Sequence, residues 1–158
     1  MSIDFDNVQL IDIIEQIESN GNLNAIGDMG KAYGCMQIHQ GTLDDFNRWN
    51  NTNYKLLDLM GEKGRQISRL IFDEYMSHYA TEARIGRAVT DVDRARIWNG
   101  GPNGFKKSAT RGYAYKYEKI FAESEKLPAP PVAMGAISRS QKRRVAIQKK
   151  KPIKKKKI

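Results

Sequence analysis

IEQIESNGNLNAIGDMGKAYGCMQI, residues Ile14 to Ile38, decides how the rest of the chain is read. It begins on an apolar helical pattern, breaks at Ser19-Asn20-Gly21, crosses a polar stretch rich in Gly and Asn, and returns to apolar residues at Met36 and Ile38. Glu18 falls on the helical face of Ile14 and Ile11, because residues four and seven apart stack on one side. A carboxylate there is partly desolvated and sits in the last helical turn, where the macrodipole is negative. Both effects raise its pKa, so the group can stay protonated near neutrality and give that proton away. Asp28 marks the far end of the crossing, where an Asp in a glycine-rich loop commonly forms an Asx-turn.

On the N-terminal side, Asp6 or Asn7 is placed to cap a helix through Val8, Leu10, Ile11, Ile13, Ile14 and Ile17. On the C-terminal side, residues 20–34 hold four glycines and three asparagines, which predicts a loop or short irregular strands. Thr42 is expected to cap a short helix through Leu43 and Phe46 toward Trp49. From Lys63 to Tyr79, Ile67, Leu70, Ile71, Tyr75 and Tyr79 recur at three and four residues, the signature of the longest amphipathic helix. Ala83 to Ala88 adds a turn of helix, and Thr90-Asp91-Val92-Asp93 offers a capping box for the segment ending at Trp98. WNGGPNG, residues 98–104, is expected to be a loop, since four of its seven residues are Gly or Pro. A last helix from Thr110 to Glu123 carries Tyr113, Tyr117, Ile120 and Phe121 on one side.

The predicted fold class is mainly α, within α+β: a helical domain with a small irregular or β segment near residues 20–38 forming one wall of a cleft. At 158 residues the chain has room for one well-packed domain, placed at residues 1–126. Residues 127–158 are expected to be a disordered tail containing Pro and rich in Lys. Eleven of the 27 Lys and Arg lie from Val132 onward with no Asp or Glu, leaving 16 basic against 18 acidic residues before it. The tail therefore carries the whole positive excess, and its lysines suit DNA or an anionic wall polymer. A single cysteine, Cys35, forms no internal disulfide and reads as core filling; folding in a reducing cytosol is expected. No basic segment followed by an apolar stretch opens the chain, and no run of about 18 apolar residues occurs, so neither signal peptide nor membrane span is expected. His39 and His78 are isolated and make no metal pattern; no metal and no cofactor are expected.

Four motifs in order, ESNGN, AYGCMQI, WNGGPNG and ATRGYAYKY, resemble the lysozyme-like superfamily that cleaves peptidoglycan. Residues 18–37 are similar to the signature of soluble lytic transglycosylases: Glu18-Ser19, then Asn24-Ala25, then Gly34, Met36 and Gln37. Asn99-Gly100 matches that family's loop Asn, and Thr110-Arg111 with Tyr113 its final helix. The spacing of Glu18, Asp28, Gly30, Gly34 and Gln37, with ARIWNGGPNG, equally resembles invertebrate-type lysozymes, though this chain lacks their cysteines.

The resemblance implies a glycosidase, either lytic transglycosylase or hydrolytic muramidase, acting on the β-1,4 bond between N-acetylmuramic acid and N-acetylglucosamine. Glu18 would be the general acid, and Asp28 would position water or stabilise the cation in the hydrolytic case. Ser19, Gln37, Asn99, Gly100 and Tyr113 would contact the sugar. Without a signal peptide, such a protein is expected to be made in a host cytoplasm. From there it would join a bacteriophage virion, with other virion proteins as partners, or be released to the wall at lysis. The competing expectation is a virion structural or DNA-binding protein that keeps the scaffold without turnover.

Overall fold

A computed structural model describes residues 7–127, and apolar spacing accounts for where its helices lie. The expected cap at Asp6 and the lysine-rich tail from Pro128 fall outside the described residues. α1 (Asn7–Ser19) buries Leu10, Ile11, Ile13 and Ile14, the stripe anticipated from the sequence. It ends where Asn20 (φ 55°) and Gly21 (φ 74°) turn left-handed.

The polar crossing folds into three two-residue strands: β1 (Ile26–Gly27), β2 (Ala32–Tyr33) and β3 (Ile38–His39). They pair antiparallel in that order, Ile26 opposite Tyr33, Ala32 opposite both Gly27 and His39, and Tyr33 opposite Ile38. Strands this short cannot hold together alone. They are fastened by Met36 and Ile38, whose side chains are fully buried, and by a close approach at Gly34. Gly34 sits at φ 76° against the backbone carbonyl of Leu59, in a space that a Cβ would overlap.

β3 runs directly into α2 (Gln40–Asn50), so the extended residue His39 takes the N-cap position. Thr42, expected as the cap, lies inside the first turn instead. A 3-10 turn at Leu56–Leu59 leads to α3 (Gly61–Tyr79), the longest described helix. Its inner face is Ile67, Ser68, Ile71, Phe72, Tyr75 and Met76. Leu70, assigned to that stripe by spacing, is half exposed. The hydroxyl of Ser68 donates to the Gly64 carbonyl at 2.8 Å, so its burial leaves nothing unpaired.

α4 (Glu82–Ile85) is one short turn capped by Thr81, and α5 (Asp91–Gly100) opens with the anticipated capping box. There Asp93 N donates to Thr90 Oγ1 (3.2 Å) and Thr90 N to Asp93 Oδ2 (3.0 Å). The expectation that WNGGPNG is wholly loop is corrected: Trp98, Asn99 and Gly100 form the last turn of α5. The helix tolerates Gly100 because a side chain there would strike the Thr110 methyl, while Lys107 Nζ caps the Gly100 carbonyl. α6 (Arg111–Lys126) then buries Tyr113, Ala114 and Tyr117.

Ile14, Met36, Ile38, Leu43, Ile71, Phe72 and Ile97 converge from α1, the sheet, α2, α3 and α5 into one core. Full burial of a side chain such as Phe72 contributes about 1.5–3 kcal/mol. This compact unit runs to Ser124. None of the described helices is long and apolar enough to cross a membrane.

Candidate functional site

At the end of α1 lies a cleft of about 240 Å³, walled by the sheet and its loops on one side and by residues of α2, α3 and α5 on the other. Glu18, Asp28, Gln37, His39, Trp98 and Asn99 are among the residues that line it. Glu18 is half-buried, and the phenol of Tyr113, from the first turn of α6, donates a 2.7 Å hydrogen bond to Glu18 Oε1. Burial pushes the Glu18 pKa above the usual carboxylate value, against the opposing pull of that hydrogen bond and of the nearby Lys116 charge. Tyr113 shifts upward too, through burial and then the Glu18 charge, so its hydroxyl remains a donor. The result is one acid, oriented by one phenol, whose proton is held more tightly than in water.

Asp28 reaches the same cleft from the tip of the β1–β2 hairpin, where its carboxylate lies 3.7 Å from His39 Nε2 and is exposed. The backbone there is unusual: Asp28 (φ 46°), Met29 (φ 53°) and Gln37 (φ 50°) all occupy the left-handed region that disfavours residues other than glycine. Each such residue costs about 1–3 kcal/mol and persists only where its surroundings hold it. For Gln37 the holder is visible. Its amide nitrogen donates to the carbonyls of Gly34 (2.9 Å) and Ala25 (3.3 Å), which ties the two sides of the sheet loop together.

The remaining expected contacts divide. Asn99 presents an exposed side chain in the cleft from the last turn of α5. Ser19 spends its hydroxyl on the Cys35 carbonyl at 2.8 Å, clamping the end of α1 to the loop between β2 and β3. Gly100 packs on Thr110 behind Asn99. Cys35 is buried as expected, and burial together with the Glu15 charge pushes its thiol up to about 12, so it stays an unreactive thiol.

Sequence reasoning missed three features. Thr42, Tyr75 and Trp98 also line the cleft, where periodicity could say only that Tyr75 faces inward. Met29 and Ile26, beside Asp28, are 91% and 54% exposed, an apolar tip that turn chemistry alone does not announce. Glu15, one turn before Glu18, is 3% exposed and accepts from Arg65 and Arg69 of α3. Partners 50 and 54 residues away leave no local signal.

Fold and site together define a small helical domain in which a three-stranded sheet forms one wall of an acid-bearing cleft. No protein-family model matches the chain, and no curated protein matches it. A chain in the crystal structure of Aeromonas hydrophila PliI in complex with Meretrix lusoria lysozyme is similar at 27% identity and a TM-score of 0.58. The similarity covers 72% of this chain and 88% of that one, and the fold is lysozyme-related.

The expectation of a peptidoglycan-cleaving enzyme is corrected by the same finding. The likeness is to an assembly of an inhibitor with a lysozyme, a protein pair defined by binding, and it carries no turnover to this chain. The hydrolase, glycosidase and bacteriolytic assignments fall with it. The geometry permits this correction, because an acid with a raised pKa is equally a hydrogen-bond donor to a docked partner.

Proposed function

We propose that this domain is a binding module that takes a protein partner into the cleft between the sheet and α5. The observation that carries the reading is the make-up of the cleft mouth. Glu18, half-buried and held by Tyr113, and the exposed Asp28 both line the cleft, and the hairpin that carries Asp28 exposes the apolar side chains of Met29 and Ile26. Protein interfaces combine desolvated apolar anchors with a few oriented polar groups in this way, and Met is enriched in them. The similar chain belongs to a two-protein complex, and whichever member it is, the other is a protein. The segment that fits would present hydrogen-bond donors or a cation to Glu18 and Asp28, and an apolar side chain to the hairpin tip.

Surface plasmon resonance against immobilised Meretrix lusoria lysozyme and, separately, Aeromonas hydrophila PliI tests this. Capture by one of them with a Kd near or below about 1 μM is expected. Met29→Asp should weaken it by about tenfold or more, because truncating or charging an interface anchor costs upward of about 1–2 kcal/mol. Binding to neither protein would overturn the reading. So would release of soluble muropeptides from purified cell walls by folded protein, if Glu18→Gln abolished it.

A further inference from the structure

Charge is segregated along the described domain. Residues 7–83 hold six Lys and Arg against eleven Asp and Glu, whereas residues 84–124 hold nine against four. Two helices carry that division onto exposed apolar side chains. Leu70 of α3 is 49% exposed, and Tyr115 of α6 is 67% exposed between the buried Tyr113 and Tyr117. Packing within the domain explains neither.

The side chains around the two are of opposite sign. On α3, Asp73 and Glu74 stand one turn beyond Leu70, Gln66 one turn before it, and Lys63 at the far end of the face. Glu74 lies 3.3 Å from His78 Nε2. The neighbouring Arg69 is spent on Asp12 and Glu15, and Asp73 has no salt bridge among the described residues. Partial burial pushes the Asp73 carboxyl above its usual value, against the pull of Arg69. On α6, Arg111 and Lys119 stand one turn either side of Tyr115, exposed and without a salt bridge among the described residues, and Glu118 and Glu123 flank them.

Both faces turn away from the cleft. Around a helix, residues five apart are offset by about 140° and residues two apart by about 160°. Leu70 is therefore nearly opposite Tyr75, which lines the cleft, and Tyr115 nearly opposite Tyr113, which holds Glu18. Lys116, whose charge acts on Glu18, belongs to the cleft side and is no part of this face.

We infer that a second copy of this chain covers these faces: α6 of one copy packs across α3 of another, Tyr115 against Leu70, with Arg111 and Lys119 toward Asp73 and Glu74. Apolar anchor and charge match each other within one sequence, which favours a copy over an unrelated partner. The two patches are unlike, so the contact is heterologous, and each copy can offer α6 to one neighbour and α3 to another. With one apolar anchor on each side it is smaller than the roughly 1,600 Å² of a standard interface, so association is weak, grows with concentration and fades with salt. It involves neither the cleft nor the partner proposed there.

The test is sedimentation equilibrium of the full-length protein from about 10 to 500 μM, at about 50 and 500 mM salt. The variants are Leu70→Ala, Tyr115→Ala, Asp73→Lys, Lys119→Glu, and one chain carrying both charge reversals. All alter exposed side chains and should keep the native circular dichroism spectrum. At low salt the native protein should exceed the monomer mass as concentration rises, and at high salt less so. Each single change should weaken association about tenfold, the apolar ones by removing an anchor and the reversals by setting like charges together. The chain with both reversals should recover most of the native association, because it exchanges the two signs at constant net charge. A monomer at every concentration would overturn the inference. So would association that the single variants leave unchanged, which places the contact elsewhere on the chain, or a double variant as weak as its parents.

Discussion

Replacing Glu15 by Ala should destabilise the domain by about 3 kcal/mol. Glu15 Oε2 accepts from Arg65 Nη2 at 2.8 Å and Arg69 Nη2 at 3.0 Å, and Oε1 from Arg69 Nε at 2.8 Å. Hydrogen bonds to charged groups contribute about 1.5–3 kcal/mol each, and breaking a buried ion pair by removing one partner costs about 3–5 kcal/mol. Arg65 and Arg69 retain 34% and 26% side-chain exposure, so water repairs part of their loss and the lower figure applies. For a domain of this size the melting temperature should fall by about 12 °C. Urea denaturation followed by circular dichroism reads the change directly. A loss below about 1 kcal/mol would refute the reasoning and make the cluster an ordinary surface network.

The same carboxylate predicts an acid response. Burial raises the Glu15 pKa, but the hydrogen bonds and charges of Arg69 and Arg65 prevail and hold it below the usual value. A depressed folded-state pKa stabilises above the unfolded value of 4.5 and is lost as pH falls below it. The urea midpoint of the native protein should therefore drop on acidification below that pH, and that of Glu15→Ala should drop less. Tyr113→Phe should raise the Glu18 pKa further, because the Tyr113 hydrogen bond lowers it; carboxyl NMR titration showing no rise would contradict the 2.7 Å contact. Gly34→Ala should cost more than about 2 kcal/mol, since it adds a Cβ at positive φ against the Leu59 carbonyl; a change within about 0.5 kcal/mol would mean that the hairpin and the 3-10 turn are not in close contact.

Helix positions were legible because α1, α3 and α6 bury one face each, and a buried stripe is written at three- and four-residue spacing. Thr90 and Asp93 were legible for another local reason, since a capping box lies within four residues. Where neighbouring elements decide the outcome, the sequence misleads. Thr42 has a capping side chain, yet β3 delivers the chain to α2 at His39. WNGGPNG has a loop composition, yet its first three residues complete α5, packed on Thr110. Within the site, Glu18 and Tyr113 were both named, but their contact spans 95 residues and rests on how α6 docks. Gln37 was expected to contact a ligand; it lines the cleft, and its amide also ties the Gly34 and Ala25 carbonyls together, a role no local pattern announces. Function was the least legible of all, because a motif records which groups are present and not whether they turn a substrate over.

The architecture around Glu18 makes the strain at the hairpin intelligible. α1 is fixed twice near its C-terminal end, by Glu15 to α3 and by Ser19 to the Cys35 carbonyl, so Glu18 between them has little freedom to move. Tyr113 closes the remaining side. The opposite wall is built in the reverse way: two-residue strands, three left-handed residues that are not glycine, and an apolar tip in water. Gln37, the buried Ala32, Met36 and Ile38, and the approach of Gly34 to the Leu59 carbonyl restrain it at its base, away from the tip. A rigid acid facing a strained, exposed hairpin suits a cleft whose occupant is gripped from one side, and it places the adaptable contacts at Asp28 and Met29. Binding there should leave Glu18 in place and change hydrogen exchange mainly in residues 26–33, the hairpin that carries Asp28 and Met29.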